Sequence, residues 1–373
     1  MHKLTSLVTL VALAGTPVRA QDALLKKAQE IQKRIIAFDS HVDLPFDYPG
    51  AAEDGKTAID LPKVSRGELK GAALAVFVPQ GPRTPEGYKK AREDAETKYN
   101  LIKAFAEQNP QKAALAYSPE DVRRIAGQGK FAVVISLLNA YPLGSDLSQI
   151  DEWYKRGVRI FGYVHAGHND WADSSRPNKN LGNGPEEHRG LSSIGKQGVT
   201  KLNDLGVLID VSQLSTPAFK QVLSLTRAPV AATHSGVKGI VDVSRNLSDE
   251  ELDLIKKNNG VVQIVAFSNY LRPAAGEGAP AAPSATVAQF VNAIDYAVKK
   301  IGVDHVGISS DFNHGGGVTG WQNESEGPNV TAEILRRGYS ERDIAKLWGG
   351  NFLRVWAAAQ KAALDSHDRH SRL

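Results

Sequence analysis

The segment Ile35-Ile-Ala-Phe-Asp-Ser-His-Val-Asp43 starts as an apolar run and ends on a histidine and an aspartate. A short continuous apolar run suits a strand covered on both faces rather than the alternating pattern of a half-exposed one. Seven further runs follow the same pattern, at Ala72–Pro79, Phe131–Asn139, Val158–His165, Val207–Ser212, Pro229–His234, Gly260–Phe267 and His305–Asp311. Helical patterns lie between them, at 87–108, 147–156, 194–205, 249–258, 287–301 and 341–360. Ser118 in Ser-Pro-Glu-Asp and Ser248 in Ser-Asp-Glu-Glu read as helix N-caps, the second with Glu251 in capping-box position. Strand then helix, eight times over, is the order of a (β/α)8 TIM barrel. An open doubly wound sheet is the alternative, weakened because no glycine-rich phosphate loop follows the first strand.

Composition narrows the chemistry. The 373 residues include no cysteine, which excludes disulfides, thiolate zinc sites, iron–sulfur clusters and cysteine nucleophiles. Any metal must then be held by His, Asp, Glu, carbonyl groups or water. A net charge of +4 over this length gives no argument for nucleic acid or an anionic membrane as partner. At the N-terminus a basic His2-Lys3 precedes the mostly apolar Leu4–Ala14 and then Val18-Arg19-Ala20. This predicts a secretory signal peptide over residues 1–20 and a mature chain from Gln21. The apolar run is too short for a membrane span. The expected product is a secreted, periplasmic protein with one barrel domain over 21–373. Within it, Ala274–Pro283 is expected as a surface loop and His367–Leu373 as a disordered tail.

In such a barrel the active site lies at the C-terminal strand ends. Those ends carry His41 and Asp43, Gln80, Asn139, His165, Gln213, His234, Asn269 and Asp311. Alternate strand residues share a face, so His41 and Asp43 can reach one divalent cation. Read alone, His-x-Asp is a weak motif, better explained by strand-end hydrogen bonding. Asp311 ends the eighth run, beside the first once a barrel closes. The three then make a His/Asp/Asp ligand set with an open position, the pattern of a catalytic metal. His234 could add a ligand and His165 could line the site, although each taken singly is better explained as a core or loop histidine. The Arg245 guanidinium suits a substrate carboxylate, or an ion pair with the acidic helix that follows it.

These residues resemble the membrane (renal-type) dipeptidase family, the M19 group of zinc peptidases. The resemblance rests on Asp39-Ser-His-Val-Asp-Leu-Pro45, Asp60-Leu-Pro-Lys63, Tyr163-Val-His165 and Asn169-Asp-Trp-Ala-Asp-Ser-Ser175. Gly190-Leu-Ser192, Leu208-Ile-Asp-Val-Ser212, Ala232-Thr-His-Ser235, Ser244-Arg-Asn-Leu247 and Gly307-Ile-Ser-Ser-Asp-Phe312 follow in family order. It implies a (β/α)8 barrel with a binuclear zinc site that hydrolyses dipeptides. His41, Asp43 and Asp311 would serve the first metal and His234 the second. His165 would face the scissile carbonyl, and Arg245 would receive the substrate carboxylate. A homodimer is also implied.

Two ligands of that pattern are absent. Where the family has a glutamate bridging both metals, the segment Ser136-Leu-Leu-Asn-Ala-Tyr-Pro142 places Asn139. Where it has a histidine after Asp-Val-Ser, Gln213 stands. A neutral amide is a poor bridge between two dications, and zinc favours carboxylate or imidazole ligands. The expectation is one zinc, with the second site weak or empty and a metal-free protein as the alternative. Asp311 would then take a proton, and His165 would stabilise the oxyanion. The expected substrate is a small molecule with a free carboxylate, such as a dipeptide. A repurposed isomerase or lyase, and a ligand-binding pseudo-enzyme, remain the alternatives.

Overall fold

The computed structural model describes residues 16–273 and 284–370, with side chains over 21–273 and 284–365. The expected leader thus has no described side chain, and the insert at 274–283 lies outside the described residues. Of the expected tail, residues 367–370 continue the last helix, Asn351–His370, and 371–373 lie outside the described residues.

All eight expected strands form. They are β1 (Ala37–Val42), β2 (Leu69–Phe77), β4 (Phe131–Leu138), β5 (Val158–Gly162), β6 (Leu208–Asp210), β7 (Ala231–Ser235), β8 (Val261–Val265) and β9 (Val306–Ser309). A short strand unforeseen from the sequence, β3 (Ala113–Leu115), pairs with β4 outside the ring. At three residues it carries no periodicity to read. The order β1-β2-β4-β5-β6-β7-β8-β9 is parallel at every step. The sheet closes on itself: Asp311 N donates to His41 O and Asp43 N to Phe312 O, each at 3.1 Å. That closure rules out the open doubly wound sheet and brings Asp311 beside His41.

Phe38, Ala73, Val134, Ile160, Leu208, Ala231 and Val261 come from seven different strands and share one buried cluster. Only inward-facing residues of a ring can converge in this way. Phe352, Leu353 and Trp356 of the last helix join the same cluster, with the Phe352 ring stacked on Phe38 at 5.3 Å. The last helix therefore seals the N-terminal end of the barrel and leaves the other end for chemistry.

The helix expected over 341–360 is split. A first turn, Glu341–Ala345, passes through a π-helical turn at Lys346–Gly350 into the last helix. Here Gly349 lies against strand β1: a Cβ on it would stand 2.4 Å from Ile36 O. Ser118 and Ser248 cap their helices as expected, and Ser248 forms the full box with Glu251. No helix among the described residues is long and apolar enough to cross a membrane.

Candidate active site

Strand β1 delivers His41 and, one residue past its end, Asp43; the turn after β9 delivers Asp311. Ligand atoms of these three side chains all lie within 4.8 Å of one another. His41 Nε2 is 3.6 Å from Asp43 Oδ2 and 3.7 Å from Asp311 Oδ1. His41 Nε2, both Asp43 oxygens and Asp311 Oδ1 are buried with no hydrogen-bond partner among the described residues. Four orphaned ligand atoms of the right chemistry, aimed at one point, fit a divalent cation. Burial, with the charges of Asp43 and Asp39 adding to it against His41 and Arg245, pushes the Asp311 carboxyl up to about 7. Burial also opposes charge on His41, but Asp43 and Asp311 outweigh it and raise its pKa. A bound cation reverses this balance. Asp39 braces the group from behind: its Oδ1 accepts from His41 N at 3.1 Å and Ser310 N at 3.2 Å.

His234, at the end of β7, stacks on His41 with ring centroids 3.9 Å apart. Its nitrogens are both engaged. Thr233 Oγ1 lies 2.8 Å from Nδ1 and donates to Asp210 Oδ2 at 2.6 Å. The proton on Nδ1 therefore points at Thr233, leaving Nε2 as an acceptor. The Gln213 amide fills that position, with Nε2 3.0 Å from His234 Nε2. The other end of the amide, Oε1, accepts from Arg176 Nη2, which also faces His165 Nε2 at 3.4 Å. Burial, with Arg176 and His314 adding to it, holds His165 well below its usual pKa. The arrangement does not fit a second cation: the lone pair of His234 is taken, and a guanidinium stands on the far side of Gln213.

A small cavity of about 70 Å³ opens over this group, lined by His165, Arg176, Gln213, His234, Arg245, Phe267, Tyr270, Asp311 and His314. Arg245 is 4% exposed and lies near the Tyr270 ring, 5.6 Å from its centroid. It donates to Ser235 Oγ at 3.1 Å and to the His234 carbonyl. Neither Arg245 nor Arg176 has a carboxylate within salt-bridge distance among the described residues. The alternative of an ion pair between Arg245 and the following helix is thereby set aside. Burial brings the Arg245 guanidinium down to about 10, so it stays charged at neutral pH. Of the other strand-end residues, Gln80 and Asn269 do not line this cavity. A larger depression bordered by Lys70, Lys112 and Lys130 lies at the sealed end and gathers no comparable group.

The model of the membrane dipeptidase family, peptidase family M19, matches residues 25–370. The chain belongs to the membrane dipeptidase family. It is a dipeptidase-family hydrolase on the metallopeptidase barrel. Among solved structures it is similar to the probable dipeptidase PvdM from Pseudomonas aeruginosa. That likeness has a TM-score of 0.89 and 45% identity over 92% of this chain and 100% of that one. Dipeptidase aclJ of Aspergillus oryzae is 28% identical over 310 residues, 82% of this chain and 71% of the relative. A metallopeptidase from Rhodobacter sphaeroides, solved with a phosphinate mimic of the dipeptide L-Ala-D-Ala, shares the fold. Its TM-score is 0.75 at 21% identity, over 87% of this chain and 99% of that one.

For a membrane dipeptidase, Asn139 is the informative departure. It is fully buried, with φ at +77°. Its Nδ2 donates to Val78 O at 3.0 Å, while Oδ1 accepts from Asn169 Nδ2 at 2.9 Å and Tyr141 N at 3.3 Å. Both ends of the amide are satisfied within the wall of the barrel. Gln213 and Asp311 share its positive φ, +69° and +57°, so three strand ends adopt the left-handed conformation, which Asn and Asp tolerate better than Gln. The sequence reading gave no role to Arg176, Asp39 or Thr233. Arg176 directly follows the Asn169–Ser175 motif, and Asp39 and Thr233 stand inside quoted motifs; their positions were legible, their partners not.

Proposed function

We propose that this chain is an exported metallo-dipeptidase that works with a single zinc ion held by His41, Asp43 and Asp311. The observation carrying this reading is the contrast between two neighbouring groups. His41, Asp43 and Asp311 leave four buried ligand atoms unpartnered, whereas His234 and Gln213 satisfy each other. A zinc ion at the first position would supply Lewis acidity and bring the pKa of its water to roughly 7.

The chain's own residues then divide the remaining work. Arg245, buried and without a counter-ion, receives the carboxylate of the substrate's C-terminal residue. Asp311 takes a proton from the attacking water and returns it to the leaving amine. Phe267 and Tyr270 line the cavity beside Arg245. The dipeptide class is also supported by the dipeptide mimic bound to the R. sphaeroides relative. Export rests on the basic and apolar pattern of residues 2–20 and would leave Gln21 as the N-terminus.

Metal analysis of the purified protein beside a dipeptide panel tests the reading. We expect close to one equivalent of zinc and cleavage that stops with a chelator and returns with zinc. Full loading without cleavage of any dipeptide would overturn it. Mass spectrometry of the exported fraction reads the N-terminus directly.

A further inference from the structure

Arg176 stands in the cavity with no carboxylate partner, and its place is well fixed. Its N–H donates to Ser174 Oγ at 3.1 Å, and its carbonyl accepts from Gly167 N at 2.8 Å. Its Nη2 donates to Gln213 Oε1 and faces His165 Nε2 at 3.4 Å, while its buried Nε has no acceptor among the described residues. Guanidinium stays charged under all working conditions. A half-buried cation without a counter-ion keeps its charge available to whatever enters the cavity.

The surrounding groups fit this cation rather than a metal. Gln213 presents its carbonyl oxygen to Arg176 and its amide nitrogen to His234 Nε2. The amide thus meets a guanidinium donor at one end and an imidazole lone pair at the other, with no ligand atom left over for a cation. His165 is neutral, and with Nε2 turned to the guanidinium it accepts there instead of donating. The sequence-based expectation that His165 stabilises the oxyanion thus meets a different geometry: beside His165 the donor lining the cavity is Arg176, apart from the Arg245 that receives the carboxylate.

We propose that Arg176 is a catalytic residue that donates to the scissile carbonyl oxygen as it becomes an oxyanion, in place of a second metal ion. This rests on the one-zinc dipeptidase reading above. Water adds to the carbonyl carbon, and the C=O π pair moves onto oxygen, where the guanidinium binds it. When the pair returns, the C–N bond breaks and the amine leaves with the proton carried by Asp311. Arg176 neither gains nor loses a proton, as its always-charged state requires. Removing one such donor slows catalysis by about 10²–10³-fold in well-studied cases.

The test compares Arg176→Ala and Arg176→Lys with the wild-type holoenzyme in zinc content, kcat and KM, inhibition by a phosphinate dipeptide mimic, and rescue by free guanidinium. We expect zinc to stay near one equivalent and KM to change by less than about threefold. The kcat of Arg176→Ala should fall by about 10²–10³-fold, with the phosphinate weakened in parallel. Guanidinium should restore part of the rate to Arg176→Ala and none to wild type, an effect a merely structural role would not give. Arg176→Lys, which keeps the charge, should retain more activity than Arg176→Ala. An unchanged kcat would overturn the proposal, as would a KM increase confined to dipeptides with acidic side chains.

The placement has its own readout. Asn139→Glu with Gln213→His should still bind one zinc while Arg176 remains, and should take a second once Arg176→Ala is added. Two equivalents in the double variant with Arg176 present would overturn the placement. Two or none in the wild type would instead defeat the one-zinc reading, so the two failures are distinguishable.

Discussion

His41 Nε2 and Asp311 Oδ1 face each other across 3.7 Å, and neither has a hydrogen-bond partner among the described residues. Orphaned polar atoms in a core destabilise the fold unless a ligand engages them. Zinc should therefore stabilise the protein as well as activate it. At a zinc concentration 100 times its Kd, the linkage adds about 2.7 kcal/mol. Thermal denaturation should show Tm falling by several degrees with a chelator and recovering with zinc. Asp311→Asn, which removes a charged ligand, should abolish most of that difference. A Tm indifferent to chelator in wild type would mean that no ion occupies the group.

Thr233 makes a second test, one that does not touch the first cluster. Its hydroxyl sits between Asp210 Oδ2 at 2.6 Å and His234 Nδ1 at 2.8 Å, both buried. Thr233→Val nearly preserves shape but leaves an Asp210 oxygen short of a donor and frees the His234 tautomer. The expected cost is about 1–3 kcal/mol of stability. Urea denaturation should show a lower midpoint with an unchanged m-value. A midpoint equal to wild type would show that the hydroxyl contributes nothing net.

Those two clusters mark the limit of what the sequence reveals. The strands were legible because each is a continuous apolar run, and closure then placed Asp311 beside His41 without further information. The pairing of His41 with Asp43 followed from alternation along the first strand. Orientation was not legible. Nothing in the order of residues says that Asn139 turns its amide into the barrel wall toward Val78 and Asn169, or that Gln213 bridges a guanidinium and an imidazole. Arg176 was missed because its loop has no periodicity that fixes a side-chain direction. Glu324, whose buried carboxyl lies beside that of Asp39, was missed because the two are remote in sequence and only the folded chain brings them together.

Arg245 carries the prediction about substrate recognition. It is buried, charged and without a carboxylate among the described residues. Its contacts with Ser235 and the His234 carbonyl fix its fork and leave the rest for an incoming carboxylate. Hydrogen bonds to charged groups are worth about 1.5–3 kcal/mol, or roughly 10–150-fold in binding. Arg245→Met should raise KM for dipeptides by about that factor. Arg245→Lys should recover only part, since a point charge lacks the planar fork. Dipeptide amides, which offer no carboxylate, should bind wild type and variant alike. Equal losses for acids and amides would mean that Arg245 supports the fold rather than the substrate.

Asp39 and Glu324 give a prediction about pH. Both are buried, and Asp39 Oδ2 and both Glu324 oxygens find no donor among the described residues. A proton shared between the two carboxyls supplies one. Burial, with the Asp39 charge adding to it, holds Glu324 protonated well above the usual carboxyl range, while in the unfolded chain it ionises near 4.5. The folded state therefore binds more protons than the unfolded one above pH 4.5, and stability falls as pH rises toward the folded pKa. Glu324→Gln keeps the shape, supplies a permanent N–H donor to Asp39 and removes the titration. Relative to wild type, the variant should gain up to about 1.4 kcal/mol for each pH unit between 5 and 8. Paired urea denaturations across that range measure the difference, in which titrations common to both proteins cancel. A constant difference, or one that shrinks with pH, would show that the two carboxyls do not share a proton.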